Sequence, residues 1–253
     1  MIAATPLGLG FLLAAGLVSG AVNAVAGGGS LLVFPALLAV GFPPLAANVT
    51  NSVAQWPGYV GVVAGARHEL PGQRRRLVAT SSVAVFGSVL GCVLLLVLPG
   101  SVFDAVVPVL VLLASALLGL QPWLKRWIAA PEAGRPDRRP VLLPAIFLAA
   151  VYGGYFGGAL GVILIATLSL CIGDALRRVN ALKGLLSLVI ATVTVVVFAI
   201  GAPVDWLAVA VLAPTTLVGG FVGAKLAQRL PEPVLRWAVV LLGLAVGITL
   251  LLT

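Results

Sequence analysis

The sequence predicts an all-α polytopic membrane protein made of two inverted-topology repeats, each with about five helical segments and a broken or re-entrant first pair. Three observations lead to this fold class: the composition, a series of apolar segments, and an internal duplication. Of the 253 residues, 61% are hydrophobic and only 9% are charged, and the mean hydropathy is +1.21. A soluble domain carries about 25% charged residues to cover its surface. A chain this poor in charge therefore needs lipid around it.

Apolar segments follow one another along the whole chain, and most are close to the ~20 residues that span about 30 Å of hydrocarbon as a helix. Segments 31–40 and 162–172 are too short for an easy crossing, and each is the second of its group of five. We therefore expect ten helical segments, with a break after the first segment of each group. The segments are 7–26, 31–40, 45–66, 77–98, 102–124, 141–156, 162–172, 179–200, 206–224 and 234–252.

A duplication explains why the two groups are alike. An offset of 132 positions pairs identical residues without a gap, and glycine, asparagine and proline are hard to keep in register by chance. We place a first membrane repeat at 1–122, a cytoplasmic basic linker at 123–140 and a second membrane repeat at 141–253. The identical pairs are Gly29 and Gly161, Gly41 and Gly173, Asn48 and Asn180, Gly87 and Gly219, Gly91 and Gly223, and Pro99 and Pro231.

The basic residues predict the topology. All 15 Lys and Arg residues lie in the stretches 67–76, 125–139, 177–183 and 225–236. Because cytoplasmic loops are rich in Lys and Arg, we place these stretches inside the cell. The two repeats then have opposite orientation, and both termini lie on the outer side of the inner membrane. The net charge of +8 is thereby explained as a topology signal, and no binding to nucleic acid is expected.

Inverted repeats with interrupted helices are typical of transporters, whose substrate sites lie where the broken segments meet. Glycine-rich stretches mark the two breaks, at 27–30 and 157–161. Broken helix ends offer an anion their backbone N–H groups and the positive end of the helix dipole. Close helix packing is the alternative explanation for such glycines, and we favour it for Gly87, Gly91, Gly219 and Gly223. The candidate substrate-binding residues of the breaks are Gly27, Gly28, Gly29, Ser30, Gly157, Gly158 and Gly161.

Polar side chains inside a membrane are costly, which makes them candidates for substrate contact. Asn48, Asn51 and Gln55 share one helix face, and Asn180 and Lys183 repeat that face in the second half. Helix capping by the two asparagines and a snorkelling Lys183 are the structural alternatives. The remaining candidates are Asn23, Thr50 and two tyrosines whose hydroxyl groups could donate to an oxyanion, Tyr152 and Tyr155.

Two longer runs resemble the signatures of the sulfite exporter TauE/SafE family. The run NAVAGGGSLLVFPALLAVGFPPLAANVTNSVAQWPG (23–58) resembles the first, and YGGYFGGALGVILIATLSLCIGDALRRVNALKGLLS (152–187) resembles the second. The resemblance implies an inner-membrane permease that exports sulfite, sulfoacetate or a related organosulfonate. The chain departs from the family pattern at Gly184 and Ala191, where many members carry a polar residue.

The sequence offers few candidates for catalytic residues. No Asp, Glu or His lies well inside an apolar segment. The membrane segments therefore contain no residue that could form a carboxylate proton relay. An anion leaving a cell gains about 2.3 kcal/mol per charge per 100 mV, and we expect this potential to drive export. No catalytic residue, metal or cofactor is predicted, and Cys92 and Cys171 are interpreted as packing residues.

The expected partners are a small anion and the lipid bilayer, and a homo-oligomer is compatible with the sequence. A passive anion channel is the nearer alternative, and an intramembrane enzyme the more remote one.

Overall fold

A computed structural model describes residues 5–25, 27–127, 137–226 and 232–252. This part of the chain folds into ten α-helices and one 3-10 helix, with no strand, so the predicted number of helical segments is confirmed. The middle of the predicted linker (128–136) and part of the last basic stretch (227–231) lie outside the described residues. The helices are α1 (Pro6–Val25), α2 (Ser30–Ala39), α3 (Pro44–Ala66), the 3-10 helix (Arg67–Glu69), α4 (Arg74–Val97), α5 (Gly100–Trp127), α6 (Arg139–Tyr155), α7 (Leu160–Cys171), α8 (Leu176–Gly201), α9 (Trp206–Leu226) and α10 (Glu232–Leu252).

Among the described residues, six helices are long and apolar enough to cross a membrane: α1, α4, α5, α8, α9 and α10. Helix α3 has 23 residues, which is long enough, but the polar residues between Asn48 and Gln55 lower its hydropathy. Helices α2 and α7 have 10 and 12 residues. They therefore rise only about 15 and 18 Å, roughly half of the ~30 Å hydrocarbon layer.

The two short helices lie in the interior of the protein. In α2 the side chains of Leu31, Val33 and Leu37 are completely buried, and a helix that is hydrophobic all round belongs in a core. The ring of Phe34 packs edge to face against Phe156 in the second break, with ring centroids 5.5 Å apart. In α7 one side is buried, including Leu164 and Leu168, whereas Leu170 near its end is exposed.

Helices of one repeat pack against helices of the other. The first helix of each repeat packs against the fourth helix of the other, so that α1 contacts α9 and α6 contacts α4. Helix α3 also contacts α9, and its counterpart α8 contacts α4. The counterparts α5 and α10 pack against each other, as do α3 and α8. Exchanging one repeat for the other thus maps these main helix pairs onto one another.

The α1–α9 pair is closely packed through glycine. A Cβ atom added to Gly219 would overlap the carbonyl oxygen of Leu17, and one added to Gly223 would lie 2.5 Å from the Cα atom of Ala21. Residues 17 and 21 thus face residues 219 and 223 in the same order, which means that the two helices run parallel. Small residues let helices approach this closely in membranes.

The α4–α6 pair repeats this arrangement. A Cβ atom on Gly87 would lie 2.6 Å from the carbonyl oxygen of Phe147, and one on Gly91 would overlap the carbonyl oxygen of Val151. The close-packing interpretation of these glycines is therefore confirmed. Parallel pairing in both places is what the predicted topology requires, although the orientation of the repeats in a bilayer itself stays a prediction.

Each break contains a left-handed residue at the same repeat position. The φ angle is +79° at Gly27 and +54° at Ala159, which the offset of 132 pairs with each other. Glycine adopts this conformation freely, whereas a side chain there costs about 1–2 kcal/mol. Ala159 is the only residue other than glycine with a positive φ in the described part of the chain.

We therefore expect Ala159→Gly to stabilise the protein by about 1 kcal/mol, because the left-handed strain disappears. Ala166→Gly, in the middle of α7, is the matched control and should destabilise by about 0.5–1 kcal/mol. Unfolding of the purified protein in detergent measures both changes. Equal destabilisation by the two substitutions would contradict a strained backbone at Ala159.

Candidate functional site

The two helix breaks meet inside the protein. A Cβ atom added to Gly161 would lie 2.9 Å from the Cα atom of Gly27, and one added to Gly27 would lie 3.1 Å from the Cα atom of Gly161. The backbones of both breaks are thus in direct contact, and a larger residue at either position would separate them. Inverted transporter repeats have their substrate site where the broken segments meet. The contact between the two breaks is therefore the place to look for a candidate site.

Local turns use the first backbone donors of both short helices. The N–H groups of Leu31 and Leu32 in α2 donate to carbonyl groups of the first break, at 3.1 and 3.0 Å. The N–H groups of Leu160 and Val162 in α7 donate to the second break, at 3.2 and 2.9 Å. These four amides are therefore engaged within their own turns.

A cavity lies beside the breaks, between α3 and α8. It contains about 310 Å³ of empty space, counting its open mouth. First-repeat residues form one wall and second-repeat residues form the other. The lining residues are Ser30, Ser52, Gln55 and Tyr59 from the first repeat, and Gly153, Phe156, Gly157, Leu160, Ser187, Ile190, Ala191 and Thr194 from the second.

The lining combines neutral polar groups with an apolar wall. Five of the lining residues carry a hydroxyl group and one carries an amide, whereas none is Asp, Glu, Lys, Arg or His. Across the described residues, no cluster of three or more His, Cys, Asp or Glu side chains could hold a metal ion. The cavity is therefore built for hydrogen bonding rather than for pairing with a fixed charge.

Gln55 connects the cavity with the first break. Its amide Nε2 donates to Ser19 Oγ at 2.6 Å, and that hydroxyl donates to the carbonyl oxygen of Gly29 at 2.8 Å. Nearby, the Tyr59 hydroxyl lies against the side chains of Asn23 and Ser30. These contacts hold α1, α2 and α3 together on the first-repeat wall.

Of the residues predicted from the sequence, Ser30, Gln55 and Gly157 line the cavity. Asn23 and Asn51 stand behind them, with exposed fractions of 6% and 2%. Asn51 Oδ1 is 3.5 Å from Gln55 Nε2. These five residues form one connected group at the centre of the protein.

The other glycines of the breaks are packed against protein atoms. A Cβ atom on Gly28 would lie 2.8 Å from the Leu118 side chain, one on Gly29 would overlap the carbonyl oxygen of Ser19, and one on Gly158 would lie 2.5 Å from the Phe156 ring. Together with the contact between Gly27 and Gly161, these approaches shape the breaks without lining the cavity.

Asn48 and Asn180 occupy the same repeat position in different surroundings. Asn48 is completely buried, and its Nδ2 donates to the carbonyl oxygen of Tyr155 at 2.9 Å, which ties α3 to the end of α6. Asn180 is exposed. Lys183, one turn further along α8, is only 6% exposed and does not line the cavity.

The remaining candidates make structural contacts. The Tyr152 hydroxyl donates to the carbonyl oxygen of Gly158 at 2.5 Å and so holds the second break. Thr50 Oγ1 accepts from the backbone N–H of Asp205 at 3.0 Å and so holds α3 against the loop before α9. Tyr155 packs its ring against Phe103, with centroids 5.8 Å apart.

Four polar lining residues were not among the predicted site residues: Ser52, Tyr59, Ser187 and Thr194. Two of them carry a signal that could have been used. Ser187 stands at the repeat position of Gln55, and Tyr59 is one helical turn beyond Gln55 on the same face. The counterpart of Thr194 is Val62, so the duplication does not point to it.

A cluster of ion pairs joins three of the four basic stretches at one end of the molecule. The Arg76 guanidinium is 2.7 Å from an Asp137 oxygen and 3.0 Å from an Asp174 oxygen. Arg178 contacts Asp174 at 3.4 Å and donates to the carbonyl oxygen of Pro71 at 2.9 Å. Their convergence agrees with the prediction that these stretches share one side of the membrane.

The same cluster keeps Asp174 ionised. Partial burial acts to raise the pKa of this carboxyl group, but it is outweighed by hydrogen bonds from Arg76 and the backbone N–H of Ala175, and by the charges of Arg178 and Arg76. The net effect lowers the pKa of Asp174 below its ordinary value. The carboxylate therefore serves this cluster and lies away from the cavity lining.

Comparison with known proteins identifies a protein family whose model matches this chain. A family model described as sulfite exporter TauE/SafE matches residues 12–250. The chain is 29% identical over 239 residues to the probable membrane transporter protein YfcA of Escherichia coli strain K12, covering 89% of this chain and 81% of that protein. It is 26% identical over 246 residues to a probable membrane transporter protein of Haemophilus influenzae, covering 92% and 91%.

We predict different effects for the two equivalent asparagines. Asn48→Ala removes the donor to Tyr155 and should lower the free energy of unfolding by about 1–2 kcal/mol. Asn180→Ala changes an exposed side chain and should stay within about 0.5 kcal/mol. Denaturant unfolding in detergent measures both. Equal effects would show that the bond between α3 and α6 contributes nothing to stability.

Proposed function

The chain belongs to the sulfite exporter TauE/SafE family, and on this premise we propose that it carries a small sulfur oxyanion, sulfite or an organosulfonate, through the cavity between α3 and α8. The family description and the names of the relatives indicate membrane transporters. Six apolar helices suit a multi-pass membrane protein. Export is the proposed direction, with the inner membrane as the location and both termini outside.

One observation carries this proposal: hydrogen-bonding side chains from both repeats converge on one cavity next to the meeting point of the breaks. An oxyanion has acceptor oxygens on every side, so the hydroxyl groups of Ser30, Tyr59 and Ser187 suit it. Apolar residues on the second-repeat wall exclude water from the remaining surface. The membrane potential supplies the driving force without a buried carboxylate.

The helix pairs suggest which parts move. We define bundle one as α1, α2, α3 and α9, and bundle two as α6, α7, α8 and α4. Glycine packing makes each bundle compact, and the cavity lies on the seam where α3 of bundle one faces α8 of bundle two. Trp56 Nε1 bridges this seam by donating to Thr192 Oγ1 at 2.9 Å. Opening the seam would give a bound anion a way out.

A ligand panel on the purified protein tests the substrate class. We expect sulfite or a sulfonate among sulfite, thiosulfate, sulfate, sulfoacetate and taurine to raise the melting temperature, because a ligand that binds the folded state stabilises it. Ser187→Leu should abolish the shift by filling the cavity, whereas Ser82→Leu on the exposed face of α4 should keep it.

Flux into proteoliposomes gives the second readout of the same prediction. Saturable uptake of the ligand found in the panel supports a carrier, whereas single-channel currents would show a passive channel. No response to any sulfur oxyanion would overturn the substrate class.

Cross-linking tests the seam. In a protein with both native cysteines replaced by alanine, we expect a disulfide between Val62→Cys and Gly184→Cys to stop flux and dithiothreitol to restore it. A Cβ atom on Gly184 would lie 3.2 Å from Val62 Cγ1, close to the spacing of a disulfide. The bond would lock α3 to α8.

The control disulfide joins Gly58→Cys in α3 and Thr216→Cys in α9, within bundle one. A Cβ atom on Gly58 would lie 3.6 Å from Thr216 Cβ, which is within the range of a disulfide. We expect its flux to be unchanged by oxidation. Full flux with the seam disulfide closed would exclude movement along the seam.

A further inference from the structure

The orientation of the Gln55 amide is fixed by its neighbours. The single hydroxyl hydrogen of Ser19 goes to the carbonyl oxygen of Gly29 at 2.8 Å. Ser19 Oγ can therefore only accept from Gln55, at 2.6 Å, and the amide nitrogen must be the atom that faces it. The carbonyl oxygen Oε1 of Gln55 consequently points away from Ser19.

This oxygen has no donor of its own in the described part of the chain. Gln55 lines the cavity with an exposed fraction of 1%, and its Oε1 is buried without a hydrogen-bond partner. A buried acceptor without a donor is unfavourable. What occupies the cavity can remove that penalty if it brings a hydrogen of its own.

Two more lining residues present acceptor oxygens to the cavity. The Ser52 hydroxyl donates to the carbonyl oxygen of Asn48 at 2.9 Å, and the Thr194 hydroxyl donates to that of Ala191 at 2.9 Å. Their hydrogens are thereby used within their own helices. A ligand made only of acceptor atoms would face unfavourable contacts with Ser52, Thr194 and Gln55.

The charge of the lining limits the charge of the ligand. None of the lining residues is charged, and Lys183 lies one helical turn from Ser187 outside the lining. The cost of removing an ion from water grows with the square of its charge, so a dianion costs about four times as much as a monoanion. A neutral cavity can accept a monoanion far more readily than a dianion.

We propose that the cavity selects a singly charged sulfur oxyanion that carries its own hydrogen-bond donor and gives it to Gln55 Oε1. For sulfite this is hydrogensulfite rather than the dianion, and for a sulfonate it is one with a hydroxyl group. The Ser187 hydroxyl, and the one hydrogen that the contact between Tyr59 and Ser30 leaves unused, then serve the acceptor oxygens. This selection rests on the proposed function, and it adds the protonation state and the donor.

A pair of ligands that differ by one hydroxyl group tests the donor directly. We expect 2-hydroxyethanesulfonate to bind the wild-type protein about tenfold more tightly than ethanesulfonate in calorimetry, the size of one buried hydrogen bond. In Gln55→Met the ratio should fall to about one, because the acceptor is gone. In Ser82→Ala, where the lost hydroxyl donates within α4 on an exposed face outside the cavity lining, the ratio should stay near tenfold.

The pH dependence of sulfite binding tests the charge. Above the second ionisation of sulfurous acid, the Kd for total sulfite should rise about tenfold per pH unit, as the hydrogensulfite fraction falls. Tyr59 is the only titratable residue of the lining, and Lys183 lies outside it. Ethanesulfonate, which does not titrate, should show a constant Kd over the same range.

The outcomes separate the selection from the proposed function. If no sulfur oxyanion binds, the proposed function fails. If sulfite binds equally well across the pH range and both sulfonates bind alike, the substrate class stands and the selection is overturned. The wild-type measurements decide this even if Gln55→Met does not fold.

Discussion

The need to bury backbone polar groups inside a membrane controls this structure. A helix that stops halfway through a bilayer leaves N–H and C=O groups that lipid cannot satisfy. Here both interruptions lie in the protein interior, where Gly27 and Gly161 contact each other and the first turns of α2 and α7 use their own donors. The backbones of the two interruptions thus cover each other where they meet. The cavity exists because the chain around these two points must leave the regular helical path.

The two repeats contribute different side chains to the cavity because their sequences differ. The first repeat contributes an amide, a phenol and two hydroxyl groups to the cavity, whereas the second contributes two hydroxyl groups and most of the apolar surface. Gln55 and Ser187 stand at the same repeat position, yet only Gln55 reaches the first helix through Ser19. The cavity thus has two unlike walls, one rich in hydrogen-bonding groups and one mostly apolar.

Much of this architecture could be predicted from the chain alone. The offset that pairs Gly87 with Gly219 predicted the two repeats, and the short segments predicted where the helices break. The cavity lining could be predicted only in part. Glycine in a break permits both an open pocket and close backbone contact, and only tertiary packing decides that Gly157 lines the cavity while Gly161 does not. Asn48 and Asn180 share one position in the duplication, but their burial depends on helices from the opposite half.

The exchange of fourth helices between the repeats bears on how such a protein could have arisen. A polypeptide with one repeat alone would leave the glycine surface of its fourth helix, the surface that holds Gly87 and Gly91 in α4, without the first helix that fits it. Such an ancestor could complete its packing only by pairing with a second copy and trading that helix. Fusion of the two copies into one gene would then have preserved an intermolecular contact as an intramolecular one, after which each half was free to acquire its own residues.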